Sequence, residues 1–214
     1  MSTKKPRPGI VRDTDIKRIL QRYDCPMPYH AVRARFLGSI ACPAIDTRPM
    51  QVVQGLWDGD MPAFESEEDA NELIQALVMG LWNGLTDHQS RNKPFRLTTM
   101  RTPADSAGLK RFAQTRVHEI EAFLEGLFAG EDAIDLPETA HQAVQKLGDL
   151  RSFFAAFVQF ADEPEAEAEF RDTIRNAQKL SYIAEKEINS TVQACTKARR
   201  AVLSGSGGGH PSLH

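Results

Sequence analysis

The stretch SEEDANELIQALVMGLWNGLTDH, residues 66–88, decides the fold class. Its apolar and small residues recur every three or four positions, which predicts one buried face of an α-helix. Ser66 with Asp69 resembles a capping box, and Glu67 and Glu68 place negative charge at the positive end of the helix dipole. We therefore expect an amphipathic helix from Ser66 to about His88. The apolar stripe consists of Ala70, Leu73, Ile74, Leu77, Val78, Leu81, Trp82 and Leu85.

The same periodicity recurs along most of the chain and defines further helices. They are expected at about 13–23, 29–41, 49–57, 103–130, 137–161 and 164–203. No stretch shows the alternating, β-branched pattern that is typical of strands. The sequence therefore predicts an all-α protein, a single helical domain of antiparallel helix hairpins with a long C-terminal helix.

The composition changes towards both ends and divides the chain into four parts. We expect a flexible basic arm at 1–12, an all-α core domain at 13–163, an amphipathic helix at 164–203 and a flexible Gly-rich tail at 204–214. The apolar stripe of the long helix is sparse, so propensity alone cannot stabilise that helix. It must pack on the core, on a second copy or on a partner, and a homodimer through this helix is one of these alternatives.

The overall composition is typical of a globular protein. The 214 residues are 41% hydrophobic and 26% charged, with a net charge of -3, so there is no general attraction to nucleic acid or to an anionic membrane. No run approaches the roughly 20 apolar residues that a membrane span needs. Three widely spaced cysteines suggest no disulfide framework. We expect a cytoplasmic protein without membrane contact.

Three segments together carry a family resemblance. They read FLGSIACP at 36–43, LWDGDMPAFESEEDANELIQALVMGLWNGL at 56–85, and VHEIEAFLEGLFAG at 117–130, the last followed by Leu136 and Pro137. Over about residues 28–160 the chain resembles the YecA/YgfB-like family of small bacterial all-α proteins. Some members of that family end in a cysteine-rich zinc motif, whereas this chain ends in a polar helix and a tail with His210 and His214. That departure argues against a zinc-dependent role.

The resemblance implies a role in protein contacts and no catalysed reaction. It implies a bacterial, cytoplasmic, non-enzymatic adaptor or regulator that acts through contacts with a protein partner. No catalytic residue and no cofactor is implied, and the residues themselves show no phosphate-binding glycine motif or nucleophile elbow. The identity of the partner stays open.

A metal-dependent enzyme is the competing interpretation. Glu138 and His141 form an ExxH pair, which places a carboxylate and an imidazole on one helix face, as di-iron bundles require. The preceding helix offers His118 and Glu121, so a site between the 103–130 and 137–161 helices would use these four residues. A single ExxH is not enough for such a site, and a solvated helix face is the simpler interpretation.

Charged clusters are the candidate contact surfaces. Every charged residue from Asp58 to Glu72 is acidic, which predicts a surface for a basic partner, although a solvated loop explains it equally well. The partner-binding candidates are Asp58, Asp60, Glu67, Glu68, Lys197, Arg199 and Arg200.

A further alternative is a nucleic-acid accessory protein. It would use Lys4, Lys5 and Arg7 of the basic arm, or the cluster from Lys197 to Arg200. Both patches lack interleaved aromatic residues, so they predict only nonspecific attraction to phosphate.

Overall fold

The computed structural model describes residues 11–43, 48–163 and 169–205. The basic arm with Lys4, Lys5 and Arg7, the tail from 206 onward and the expected helix start at 164 lie outside the described residues. The division into four parts stays a prediction.

The all-α prediction is confirmed, because the structure is 74% helical and its described residues form no strand. The helices are α1 (Asp13–Arg22), α2 (Tyr29–Ala41), α3 (Pro49–Gln54), α4 (Glu67–Ile74), α5 (Asn83–Thr86), α6 (Ser106–Phe128), α7 (Glu138–Phe160) and α8 (Phe170–Gly205). Short 3-10 segments follow α3 at Gly55–Trp57 and α5 at Asp87–Gln89. Among the described helices, none combines the length and the apolar character that crossing a membrane requires.

Helix α2 lies at the centre of the core and packs closely on α6. A Cβ atom at Gly38 would lie only 2.1 Å from the Phe123 carbonyl oxygen, and one at Gly126 only 2.0 Å from the Arg35 carbonyl oxygen. Glycine at both positions therefore lets the two backbones touch. These glycines belong to the FLGSIACP segment and to the EAFLEGLFAG part of the 117–130 segment, which thus meet in the core.

Helices α6, α7 and α8 pack side by side. Lys110 near the start of α6 pairs with Asp162 just after α7, with Nζ and Oδ2 2.7 Å apart. Lys146 of α7 reaches Glu187 of α8. The long helix α8 thus lies on the core, to which it contributes fully buried side chains. These are Ala177, Ala184, Ile188, Val192 and Cys195.

The 66–88 stretch begins as expected but continues differently. Ser66 is the N-cap, and its hydroxyl accepts a hydrogen bond from the Asp69 amide at 3.2 Å. From Gln75 to Trp82 the chain winds as a π-helix, which rotates the later side chains relative to a regular helix. Part of the predicted stripe, both before and within this segment, is only half-buried. The half-buried members are Ala70, Ile74, Val78 and Trp82.

Three helix boundaries differ from the sequence prediction. Helix α6 begins at Ser106, because Asp105 rather than Thr102 caps it by accepting a hydrogen bond from the Gly108 amide at 2.7 Å. The left-handed residue that ends α6 is Ala129, one position before the expected Gly130. Helix α1 has Arg12 at its N-cap position, without a side-chain cap.

The connection between α5 and α6 is part of the core, although its sequence is polar and contains proline. Phe95 is fully buried within it. The Phe95 amide donates to Asn189 Oδ1 at 2.8 Å, and Asn189 Nδ2 donates back to the Phe95 carbonyl at 3.0 Å. The Leu97 amide donates to Glu185 Oε2 at 3.1 Å. Side chains of α8 thus supply the hydrogen bonds that this extended segment would otherwise lack.

A buried ion pair on α6 also forms hydrogen bonds to the extended segment. Arg116 and Glu119 pair with each other, although both side chains are at most 5% exposed. Glu119 Oε1 accepts from the Thr98 amide at 2.8 Å, and Arg116 donates to the Thr98 carbonyl at 2.7 Å and to Ser181 Oγ at 2.6 Å. Each buried charge is therefore hydrogen-bonded, as burial requires.

Candidate protein-binding groove

A groove runs between α2 and α6 and is bordered by the end of α3. It consists of two adjoining cavities of about 310 and 440 Å³. Arg35, Gly55 and Glu125 line both cavities. The close approach of α2 and α6 thus creates a groove along their contact, which we call the α2/α6 groove.

The turn after α3 positions the carboxylate of Asp58 at the groove. Trp57 Nε1 donates to the Tyr23 carbonyl oxygen at 2.8 Å, which ties the turn to the end of α1. Asp58 then adopts a left-handed conformation with φ of 56°, followed by Gly59 with φ of 100°. The Gly59 amide donates to the Gln54 carbonyl at 3.1 Å and closes the turn. Asp tolerates this conformation better than most residues.

The groove has an apolar floor and a charged rim. Small and apolar residues line the first cavity, namely Pro26, Met27, Pro28, Ala31, Leu56 and Ala122. Carboxylates outnumber cations around the two cavities. The carboxylates belong to Asp58, Glu121, Glu125 and Glu131, and the basic side chains to Arg35, Arg48 and His118.

Two of the four carboxylates are already paired. Arg35 lies 3.6 Å from Glu125, and Arg151 of α7 donates to Glu121 at 2.6 Å. Asp58 and Glu131 are exposed and form no ion pair among the described residues. Arg48, which lines the second cavity with Glu131, is also exposed and forms no ion pair among the described residues. The lining therefore holds two unpaired carboxylates and one unpaired guanidinium.

Two side chains near the groove bear on its chemistry. Burial raises the pKa of the Cys25 thiol, which precedes the Pro26 of the floor, so the thiol stays protonated and is a poor nucleophile at neutral pH. His118 stacks on His30 with the two ring centroids 5.7 Å apart. An apolar floor with a charged rim suits an apolar side chain that is flanked by charge of the opposite sign.

Three of the four candidate metal ligands each have a different hydrogen-bond partner. Glu121 is paired with Arg151, Glu138 accepts from Gln142, and His141 bonds to Gln145. In the part of the chain that the structure describes, no three His, Cys, Asp or Glu side chains are grouped to hold a metal ion. Glu119, which follows His118 in the sequence, is held in its buried ion pair with Arg116.

The acidic residues from Asp58 to Glu72 lie in different surroundings in the structure. Asp60, Glu67 and Glu68 are exposed and line neither cavity of the α2/α6 groove. Arg22 of α1 pairs with two further members, Asp69 at 2.7 Å and Glu72 at 3.2 Å. Only Asp58 of the stretch contributes to the groove.

The basic cluster at the end of α8 has two kinds of members. Arg199 donates to the carbonyl oxygens of Ile40 and Cys42, so its guanidinium holds α8 against the C-terminal end of α2. Lys197 and Arg200 are exposed. Arg199 is therefore engaged within the protein, and the partner-binding role of the cluster stays a prediction.

Sequence analysis missed Arg35 and Glu125 as groove residues. Both lie beside the glycines of the close helix contact, since Gly126 follows Glu125 and packs on the Arg35 backbone. A small residue on each of two buried helix faces signals close packing, but it does not reveal which helices meet.

No protein-family model, curated protein or solved structure matches the chain. The geometry defines an all-α protein with an acidic, apolar-floored groove. The YecA/YgfB-like assignment stays a prediction.

Proposed function

We propose that the chain is a non-enzymatic adaptor that binds a segment of a partner protein in the α2/α6 groove. The observation that carries this proposal is the apolar floor between α2 and α6 with unpaired carboxylates at its ends. The expected ligand segment is a short one in which an apolar side chain is flanked by Lys or Arg. The apolar side chain would displace water from the floor, and the basic residues would meet Asp58 and Glu131.

The surrounding contacts support binding without large rearrangement. Trp57 and the Gly59 turn hold Asp58, while Arg35 and Glu125 lie on helices that cannot separate without disturbing the core. A preformed site loses less conformational entropy when it binds. A cytoplasmic location belongs to the same proposal and is supported by the three free thiols of Cys25, Cys42 and Cys195.

The experiment selects ligands from a displayed peptide library and measures their affinity by calorimetry. Selection should enrich peptides with one large apolar residue between basic residues. Glu131→Lys combined with Asp58→Asn should weaken a selected peptide by about 5–30-fold, because each exposed charge contact contributes about 0.5–1 kcal/mol.

The matched control is Asp149→Lys combined with Asp135→Asn, which makes the same charge changes on exposed residues that line neither cavity of the groove. Selected peptides that lack basic residues would contradict the proposal. An equal loss of affinity in the control would do the same, because it would trace binding to net charge.

The homodimer through α8 remains a separate proposal. Its buried face is covered by the core, so a second copy would use exposed apolar residues of α8, which are Tyr182, Ile183, Val202 and Leu203. Sedimentation of the wild type and of Ile183→Ser separates a monomer from such a dimer.

A further inference from the structure

The exposed side of α8 borders a second groove, which differs from the α2/α6 groove in charge. Three cavities of about 480, 400 and 370 Å³ follow one another along α8 and the extended segment before α6. The first and second share Ser190 and Gln193, and the second and third share Arg96. We call this continuous surface the α8 groove.

Basic side chains dominate the α8 groove. Its six cations are Lys17, Arg33, Arg91, Arg96, Lys186 and Lys197. Only two carboxylates line it, those of Asp13 and Glu185. Arg96 neutralises Glu185 at 2.5 Å, so the groove carries excess positive charge in a chain whose net charge is -3. Such local concentration of charge attracts a polyanion.

The polar and aromatic residues of α8 point to the kind of polyanion. Tyr182, Lys186, Ser190, Gln193 and Lys197 recur at steps of three or four along one helix face. This face extends about 22 Å at 1.5 Å per residue. Tyr182 is 67% exposed, so its ring is accessible to a base that stacks on it.

The end of the groove near α2 combines a guanidinium with aromatic rings and one unpartnered nitrogen. The Arg33 guanidinium lies over the Phe95 ring at 4.9 Å and near the Tyr29 ring at 5.9 Å. His30 Nε2 is buried and has no hydrogen-bond partner among the described residues, whereas the Tyr29 hydroxyl interacts with the Asp13 carboxylate. A base edge would satisfy the His30 nitrogen.

We propose that the α8 groove binds single-stranded nucleic acid, with Lys186, Lys197 and Arg33 on the phosphates and Tyr182 stacked on a base. A single strand fits because it presents unstacked bases together with a flexible line of phosphates. An acidic polypeptide would use the cations but would leave the Tyr182 ring without a stacking partner. This activity goes beyond the proposed adaptor function and uses the opposite charge on a different surface.

The experiment measures fluorescence anisotropy of labelled oligouridylate and oligodeoxythymidylate, each of about 16 nucleotides, with the full chain. If the three cations each neutralise one phosphate, the logarithm of the affinity should fall with a slope of about -2.1 against the logarithm of salt. This slope corresponds to about a 20-fold loss between about 50 and 200 mM salt. Binding of either oligonucleotide supports the proposal, and the difference between the two reports recognition of the sugar together with the thymine methyl group.

Three variants locate the binding. Lys186→Gln with Lys197→Gln should weaken binding and make the salt slope shallower by about 1.4. Tyr182→Ala should weaken binding about tenfold and leave the slope unchanged, because stacking carries no charge. The matched control, Arg111→Gln with Arg171→Gln, removes the same charge at exposed residues that line neither groove and should bind as the wild type does.

Several results would overturn the proposal. Absence of binding at low salt would do so, as would binding that survives the groove substitutions or falls equally in the control. A glutamate-rich peptide that binds as tightly as the oligonucleotides, without loss in Tyr182→Ala, would assign the groove to an acidic protein instead.

Discussion

The contact between α2 and α6 makes Gly126→Ala the most informative single substitution. A Cβ atom at position 126 would lie 2.0 Å from the Arg35 carbonyl oxygen and 3.0 Å from the Ser39 amide nitrogen. Both atoms belong to the backbone, so no side chain can rotate to make room. Ordinary contact begins at 3.4 Å, and α2 must therefore move away from α6 by about 1 Å or more.

The expected cost follows from two opposing effects. Alanine stabilises a helix interior by about 1 kcal/mol relative to glycine. Overpacking of a core costs about 1–3 kcal/mol, and a clash between backbones lies at the upper end because neighbouring side chains such as Phe36 and Phe123 lose contact as well. We expect a net loss of about 2 kcal/mol or more in the free energy of unfolding, which lowers the melting temperature by about 4–8 °C.

Urea unfolding followed by circular dichroism measures this effect. Gly148→Ala is the matched control, because nothing lies within 4 Å of a Cβ atom at this α7 position. It should stabilise the protein by about 0.5–1 kcal/mol. The combined Gly38→Ala and Gly126→Ala variant should lose less than the two single losses together, since one displacement of α2 relieves both clashes. A Gly126→Ala protein as stable as Gly148→Ala would refute the close contact of α2 and α6.

Three further predictions concern the buried polar groups. Glu119→Gln should lower the free energy of unfolding by about 3 kcal/mol, because it leaves the Arg116 charge buried and uncompensated; equal urea midpoints for the two proteins would contradict this. Asn189→Ala should cost about 2 kcal/mol and speed hydrogen exchange at the Phe95 amide, which loses its acceptor; unchanged exchange there would mean that the segment is held by other contacts. Burial lowers the pKa of His30 from 6.5, so below about pH 6.5 the unfolded chain binds a proton that the folded chain does not, and the free energy of unfolding falls. His30→Gln should reduce this loss of stability between about pH 7 and 5, as measured by urea unfolding.

Much of the helical structure could be predicted from local patterns. The cap at Ser66, the proline at the first position of α3 and the apolar spacing of α7 depend on residues within a few positions of one another. Local hydrogen bonds and a 3.6-residue period determine such features without knowledge of the partner helix. The apolar spacing did not predict the π-helical segment from Gln75 to Trp82.

The extended segment before α6 shows why other features could not be predicted. Its residues look polar and proline-containing, yet Phe95 is fully buried. Its backbone bonds go to Asn189 and Glu185, about ninety residues away along the chain. A pattern in a short window cannot reveal an acceptor at that separation. Arg116 and Glu119 are only three residues apart, but their partners Thr98 and Ser181 lie outside such a window.

The candidate sites follow the same division. The sequence alone determined that the protein is helical, where most helices lie, and that Asp58 and Lys197 are charged and exposed. Only the tertiary structure decided that Asp58 and Glu125 line one cavity with an apolar floor. It also decided that Lys197, Lys186 and Arg33 lie along one groove, and that Arg199 donates hydrogen bonds to the end of α2. The physical reason is that helix formation depends on neighbours in sequence, whereas grooves and charge surfaces arise where the close packing of distant helices brings side chains together.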